Sequence, residues 1–196
     1  MRKYARIAVI LVFAYIVPVL LLLFEIIPYE YRFYVLEVIT VLLFIYAKLT
    51  KATFKQLGFR VDNFKESFTK LLPVTIGLSL IMLLVHALDA SKPALYGTLA
   101  FYIFYVFISS PSQEFIYRSF LFHLFSKIDL SKSQRILFSS LLYSFVHIIY
   151  LDLATLVVTF LIGLYWGYHY DRFRNWYSVS LSHSILGAVS ILLGFV

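Results

Sequence analysis

The 196-residue chain contains no cysteine, and charged residues make up 14% of it where about 25% is usual for a soluble domain. The first absence excludes disulfides, cysteine nucleophiles and Cys-ligated zinc, and it leaves the redox compartment undecided. The second goes with 62% hydrophobic residues and a mean hydropathy of +0.88. A soluble domain carries about 45–50%, and the excess cannot be hidden in one small core. A cytosolic enzyme and a disordered chain are therefore excluded, and the bilayer is the solvent for most side chains. The sequence also lacks internal repeats and low-complexity tracts.

About 20 apolar residues cross a ~30 Å hydrocarbon core. Seven such runs are present, at approximately 4–24, 32–48, 69–88, 96–126, 133–150, 153–170 and 175–195. The expected fold class is all-α, a polytopic bundle of about seven transmembrane helices forming a single membrane domain over 1–196. The first run follows Met1-Arg2-Lys3 like a signal peptide, but it is too long for one and lacks a small-x-small cleavage site, so it reads as an anchor.

Fourteen of the 17 Lys and Arg fall on one side: before span 1 and between spans 2 and 3, 4 and 5, and 6 and 7. Arg32 and Lys92 fall on the other side, and Arg118 lies inside span 4. The positive-inside rule then places the N-terminus in the cytoplasm and the C-terminus outside. The net charge of +7 is explained by topology and by a bilayer with an anionic inner leaflet. Nucleic acid is not among the expected partners. Within the connection Leu49–Lys70, Phe54, Leu57, Phe59, Phe64 and Phe68 alternate with basic residues, which predicts a short amphipathic element on the membrane surface.

Ionisable residues at mid-membrane cost at least ~2.5 kcal/mol on insertion scales, so each one marks a candidate site. Span 4 carries Gln113 and Glu114, with Arg118 four residues on, which puts carboxylate and guanidinium on one helical face. Span 5 carries Tyr143 and His147 as one stripe, and span 7 carries Ser182-His183-Ser184 with Gly187 a turn further on. Counted from the nearest basic loop residue, Glu114, His147 and His183 lie roughly 20, 22 and 14 Å deep. Three helices can thus bring them together in a polar cavity reachable from the cytoplasm. His86, His123 and His169 sit near helix ends and read as interfacial, and Asp89, Asp152 and Asp171 as loop residues.

Missing motifs narrow the chemistry further. H-E-x-x-H and G-x-G-D are absent, and the G-x-S at Gly77-Leu78-Ser79 is followed by bulky Leu80 with no polar neighbours in its span.

The three motif segments are Gln113-Glu114-Phe115-Ile116-Tyr117-Arg118, Tyr143-Ser144-Phe145-Val146-His147 and His183-Ser184-Ile185-Leu186-Gly187. In type and order they resemble the E-E-x-x-x-R, F-x-x-x-H and H-x-x-x-N motifs of the CPBP family. These are the CAAX-protease and bacteriocin-processing (Abi) intramembrane endopeptidases related to the type II CAAX prenyl protease. Leu57-Gly58-Phe59 looks like the L-G-[FL] segment many members carry. The motif-bearing core covers about 96–196.

The resemblance implies a glutamic endopeptidase of a prokaryotic cell membrane, acting on a membrane-associated protein or peptide, prenylated or not, through a Glu/His-activated water. Carried over, His147 orients the water and His183 donates to the oxyanion, with Glu114 and Arg118 as supporting ion pair. Two positions depart from the pattern. Gly187 replaces the asparagine that would be a second oxyanion donor, so a water or another donor must fill its place, or His183 acts alone.

Gln113 occupies the position of the catalytic glutamate, and a carboxamide cannot accept a proton at neutral pH. Three explanations stand: an engineered Glu→Gln exchange that traps an inactive state, a natural pseudoprotease, or Glu114 as base. The first is preferred because the rest of the site is retained. No cofactor is expected, although Glu114, His147 and His183 would form a His₂Glu zinc set. The alternative function is a non-catalytic peptide-binding, immunity or scaffold protein.

Overall fold

A computed structural model describes residues 2–88 and 97–195, so Asp89, Lys92 and the first residue of the fourth expected span lie outside the described residues. The described chain is helical throughout, without strands. Seven helices follow the seven apolar runs: α1 (2–23), α2 (Arg32–Leu49), α3 (Phe64–Leu88), α4 (99–125), α5 (Lys132–Val146), α6 (Leu153–Phe173) and α7 (Trp176–Leu192). By length and composition, Lys3–Leu23, Phe64–Leu88 and Leu153–Phe173 are each sufficient to cross a membrane.

Local chemistry sets the helix ends. Thr98, Asp152 and Asn175 accept the backbone N–H three residues on, at 3.2, 2.7 and 2.9 Å, and Ser131 forms a full capping box with Gln134. Each such cap stabilises its helix by about 1 kcal/mol. Arg174 ends α6 at φ +48° and Leu151 ends the short turn after α5 at φ +53°, both in the left-handed region.

The outer surface is apolar and the interior holds the polar groups. Phe13, Leu42, Leu80 and Val158 are among the large side chains at least half exposed, whereas eleven serines are buried. That is the distribution of helices that face lipid and pack through small hydroxyl residues. Gly163 of α6 lies so close to α5 that an added Cβ would stand 3.3 Å from the Ser140 Cα.

Helix α4 is the central element, with every residue from Glu114 to Phe125 buried. Two π-helical stretches interrupt it, Tyr105–Ser109 and Phe115–Phe120. Such widened turns leave carbonyls for other donors to reach. Accordingly, Ser184 of α7 donates to Val106 O (2.9 Å), Tyr15 of α1 to Ile116 O (2.9 Å) and Ser139 of α5 to Tyr117 O (2.8 Å).

The segment between α2 and α3 is not the separate amphipathic element its spacing predicts but packs into the bundle. Leu57 is fully buried, its carbonyl accepts from Ser119 and Tyr170, and Phe59 packs on the Trp176 ring at 4.6 Å. Phe54 alone of the early anchors stays exposed, at 54%. Gly58 makes this docking possible: its φ is +79°, and a Cβ there would meet the Tyr170 hydroxyl at 2.5 Å. Asp171 is likewise no loop residue, because it lies within the last turn of α6 and pairs with Arg135 at 2.9 Å.

Candidate active site

Glu114 and Arg118 form the expected i, i+4 pair, Nη1 to Oε1 at 3.1 Å, with both side chains wholly buried. The same Oε1 accepts from His183 Nδ1 at 2.7 Å, which joins α7 to α4. The guanidinium also lies 4.1 Å from the centre of the Tyr143 ring, and its contact with Gly163 O is long, at 3.5 Å. Arg118 is thus held chiefly by one carboxylate and one aromatic face.

His183 spends both ring nitrogens inside the bundle. With Nδ1 donating to the carboxylate, Nε2 faces the Tyr143 hydroxyl at 3.3 Å, and the ring stacks on Trp166 at 4.6 Å. Direct donation from His183 to a reaction intermediate, the role carried over from the family, is blocked by Tyr143 in this arrangement. The order is Glu114, His183, Tyr143, with the phenol at the end of the chain of polar groups.

His147 differs from its expected setting. Helix α5 stops at Val146, and His147–Tyr150 is a 3₁₀ turn, so the imidazole stands at a helix end rather than mid-helix. Its Nδ1 lies 2.7 Å from Tyr143 O. A backbone carbonyl can only accept, so Nδ1 carries a proton, and in the neutral ring Nε2 keeps its lone pair. The Tyr143 ring lies 4.9 Å from the His147 ring and 5.7 Å from the His183 ring, bridging the two histidines.

Gln113 and His147 line one cavity of about 70 Å³, together with Tyr117, Tyr150, Arg32 and apolar residues of α1 and α2. The volume admits several waters but no peptide strand. Glu114, Arg118 and His183 lie behind it and do not line it. Gln113 itself makes only a long contact, Nε2 to Ser109 Oγ at 3.4 Å. The cavity runs toward the end of the bundle that holds Arg32 and Tyr150. Lys127, Lys132 and Arg174 cap the opposite end, so access from the basic end, as expected from sequence, does not match the shape.

At Gly187 the structure answers one question left by the sequence. A Cβ there would stand 1.9 Å from the Tyr105 hydroxyl, so this phenol fills the space a longer side chain would take. Tyr105 was not singled out because nothing in its spacing distinguishes it from the other aromatics of α4; its place follows from the first π turn. Glu37 was also missed. It lies on α2 inside an apolar run and accepts from Ser112 Oγ at 2.7 Å, a third in-bundle charge whose isolated position was the available signal.

Two of the histidines near helix ends, His123 and His169, are buried within the bundle. His169 Nε2 pairs with Ser67 Oγ at 2.8 Å and its ring stacks on Phe173, and His123 is 7% exposed.

Among the described residues no three His, Asp or Glu side chains group as metal ligands. The His₂Glu set of Glu114, His147 and His183 does not fit a metal. Glu114 Oε1 and His183 Nδ1 are bonded to each other, and His147 Nδ1 is bound to a carbonyl.

No curated protein and no solved structure matches the chain. A family model does, described as Rce1-like, type II CAAX prenyl endopeptidase Rce1-like, over residues 95–189. That stretch contains all three motifs and coincides with most of the expected core at about 96–196. Across just under half its length the chain is therefore similar to the Rce1-like type II CAAX prenyl endopeptidases, consistent with the CPBP family its motifs resemble.

Proposed function

We propose that this integral membrane protein is an intramembrane endopeptidase of the glutamate type, held inactive by Gln113. One observation carries the reading: Gln113 and His147, from different helices, line a single small cavity, and the Nδ1 of His147 is taken up by Tyr143 O. With a carboxylate at 113, a water between the two would lose its proton to that carboxylate as it attacked the scissile carbonyl. With a carboxamide the water is held but not activated, because the amide accepts no proton. Glu114 does not take over the role. It is fully buried behind the cavity and already accepts from Arg118 and His183.

In this reading Glu114, Arg118 and His183 are positioning residues. They fix Tyr143, whose ring and carbonyl orient His147. The Tyr105 hydroxyl is the donor available beside Gly187 for an oxyanion. The substrate is a membrane-associated protein or peptide that enters by parting α1 and α2, whose apolar residues wall the cavity. With the N-terminus cytoplasmic, the cavity belongs to the outer half of the membrane. No metal takes part, and the seven helices act as one membrane domain.

The same glutamine favours a second reading, a pseudoprotease that binds a hydrophobic peptide between parted α1 and α2 without cutting it. Gln113→Glu in liposomes, assayed on membrane-peptide libraries, separates them. Cleavage gained by Gln113→Glu and lost again on adding His147→Ala supports the protease. Peptide binding without gain of cleavage overturns it in favour of the binding protein.

A further inference from the structure

A second pocket, of about 350 Å³, lies at the opposite end of the bundle from the cavity of Gln113 and His147. It is lined by Lys55, Gln56, His123, Ser126, Lys127 and Arg174. Its three cations come from three separate connections: the segment before α3, the α4–α5 turn and the α6–α7 turn. No carboxylate lines it. Asp62 is hydrogen-bonded by Arg60 and interacts electrostatically with Lys55, and Asp171 Oδ1 takes Arg135 at 2.9 Å and Arg174 at 3.5 Å.

Like charges gathered in one pocket repel, and the carboxylates near them lie outside its lining, Asp171 reaching Arg174 at 3.5 Å. Partial burial and the neighbouring Arg6 push the Lys127 ammonium below the ordinary lysine value. The neutral groups fit the same purpose. Gln56 Oε1 is taken by the Thr53 N–H at 2.8 Å, so its amide presents N–H donors. His123 is buried, and its Nε2 has no hydrogen-bond partner.

Three cationic donors around an open pocket with no carboxylate in its lining suit a phosphate, which accepts charge-assisted hydrogen bonds from ammonium and guanidinium alike. The location selects the source of that phosphate. The pocket lies where α4 and α6 end, at headgroup level for helices that cross a bilayer. Exposed Leu49 (77%) and Phe54 (54%) flank its Lys55 segment as acyl-chain contacts. We propose that this pocket is a binding site for the phosphate headgroup of an anionic phospholipid. The site shares no residue with the cavity of Gln113 and His147, so it stands or falls apart from the protease reading.

The test is direct binding to the full chain in neutral detergent, with dioctanoyl phosphatidylglycerol, dioctanoyl phosphatidylcholine and inorganic phosphate as probes. Phosphatidylglycerol is expected to bind at least about 10-fold more tightly than the other two. Each basic residue near the surface contributes roughly a 5-fold factor. Lys127→Gln should therefore weaken binding about 5-fold, and Lys55→Gln, Lys127→Gln and Arg174→Gly together about 100-fold.

Arg174→Gly suits the φ of +48° at that position, so this variant keeps its backbone, and an unchanged Tm verifies the fold. Lys65→Gln, outside the pocket, should bind as the parent does. Equal affinity for the two lipids, or a triple variant within twofold of the parent, overturns the proposal. Inorganic phosphate binding as tightly as phosphatidylglycerol overturns the lipid as source.

Discussion

Replacing Glu114 by glutamine tests the buried network most directly. The carboxamide keeps the shape and can still accept from His183 Nδ1–H, so the change removes little besides charge. Arg118 then keeps a neutral acceptor in place of its counter-charge while it stays wholly buried, with Nε unpartnered, one long contact to Gly163 O at 3.5 Å, and the faces of Tyr143 and Trp166 at 4.1 and 5.5 Å. Stranding one member of a buried ion pair costs about 3–5 kcal/mol. The aromatic faces remain and retain about 2 kcal/mol of cation–π attraction, which favours the lower end of that range.

At roughly 2–4 °C per kcal/mol for a chain of this size, Tm should fall by about 10 °C. Thermal unfolding in a single detergent, followed by tryptophan fluorescence or light scattering, measures it. Arg118→Met alone should cost a similar amount because it strands the carboxylate. The double variant carries neither charge and should lie within about 1 kcal/mol of the parent, a coupling of about 3 kcal/mol or more. A Tm change under 2 °C for Glu114→Gln, or a double variant as unstable as the two singles added, would refute the reasoning about this pair.

Three further outcomes are expected. Gly163→Leu drives side-chain atoms into the Ser140 backbone, 3.3 Å from the position of a Cβ, and should destabilise the α5–α6 contact by about 3 kcal/mol, read as a fall in Tm that Gly163→Ala largely avoids. Outside the membrane, hydrogen bonding from Arg60 holds the Asp62 carboxyl below its usual value, so the pair's contribution is present above the unfolded carboxyl range and lost as pH falls through the lowered value. Unfolding curves between pH 5 and 2 should therefore lose a pH-dependent component in Asp62→Asn, and identical curves for parent and variant would contradict this. Because the chain has no cysteine, single cysteines at Lys132 and Glu30 can report orientation. A membrane-impermeant maleimide applied to intact cells should label Glu30→Cys and spare Lys132→Cys, and the reverse pattern inverts the proposed topology.

The sequence by itself determined what depends on local geometry and on the solvent. Seven apolar runs became seven helices because in lipid each backbone N–H must be satisfied within its own segment. The Glu114–Arg118 pair was legible because residues four apart on a helix are always neighbours. Counting residues inward from the basic loops put Glu114 and His183 within about one helical turn of each other in depth. Even the irregular glycine of Leu57-Gly58-Phe59 was marked, although its reason, a φ of +79° against the Tyr170 hydroxyl, was not.

Only the tertiary structure decided which polar groups face the cavity and which stand behind it. That depends on the rotation of each helix about its axis, and a single widened turn shifts every later residue by about 100°. The π turns of α4 therefore place Tyr105 beside Gly187 and Gln113 in the cavity lining, while the 3₁₀ turn after α5 carries His147 to the helix end. The same long-range packing buried Leu57 instead of laying it on the membrane and put the cavity at the end away from the basic residues. Hydropathy could foresee neither, because both are set by contacts between residues far apart in the chain.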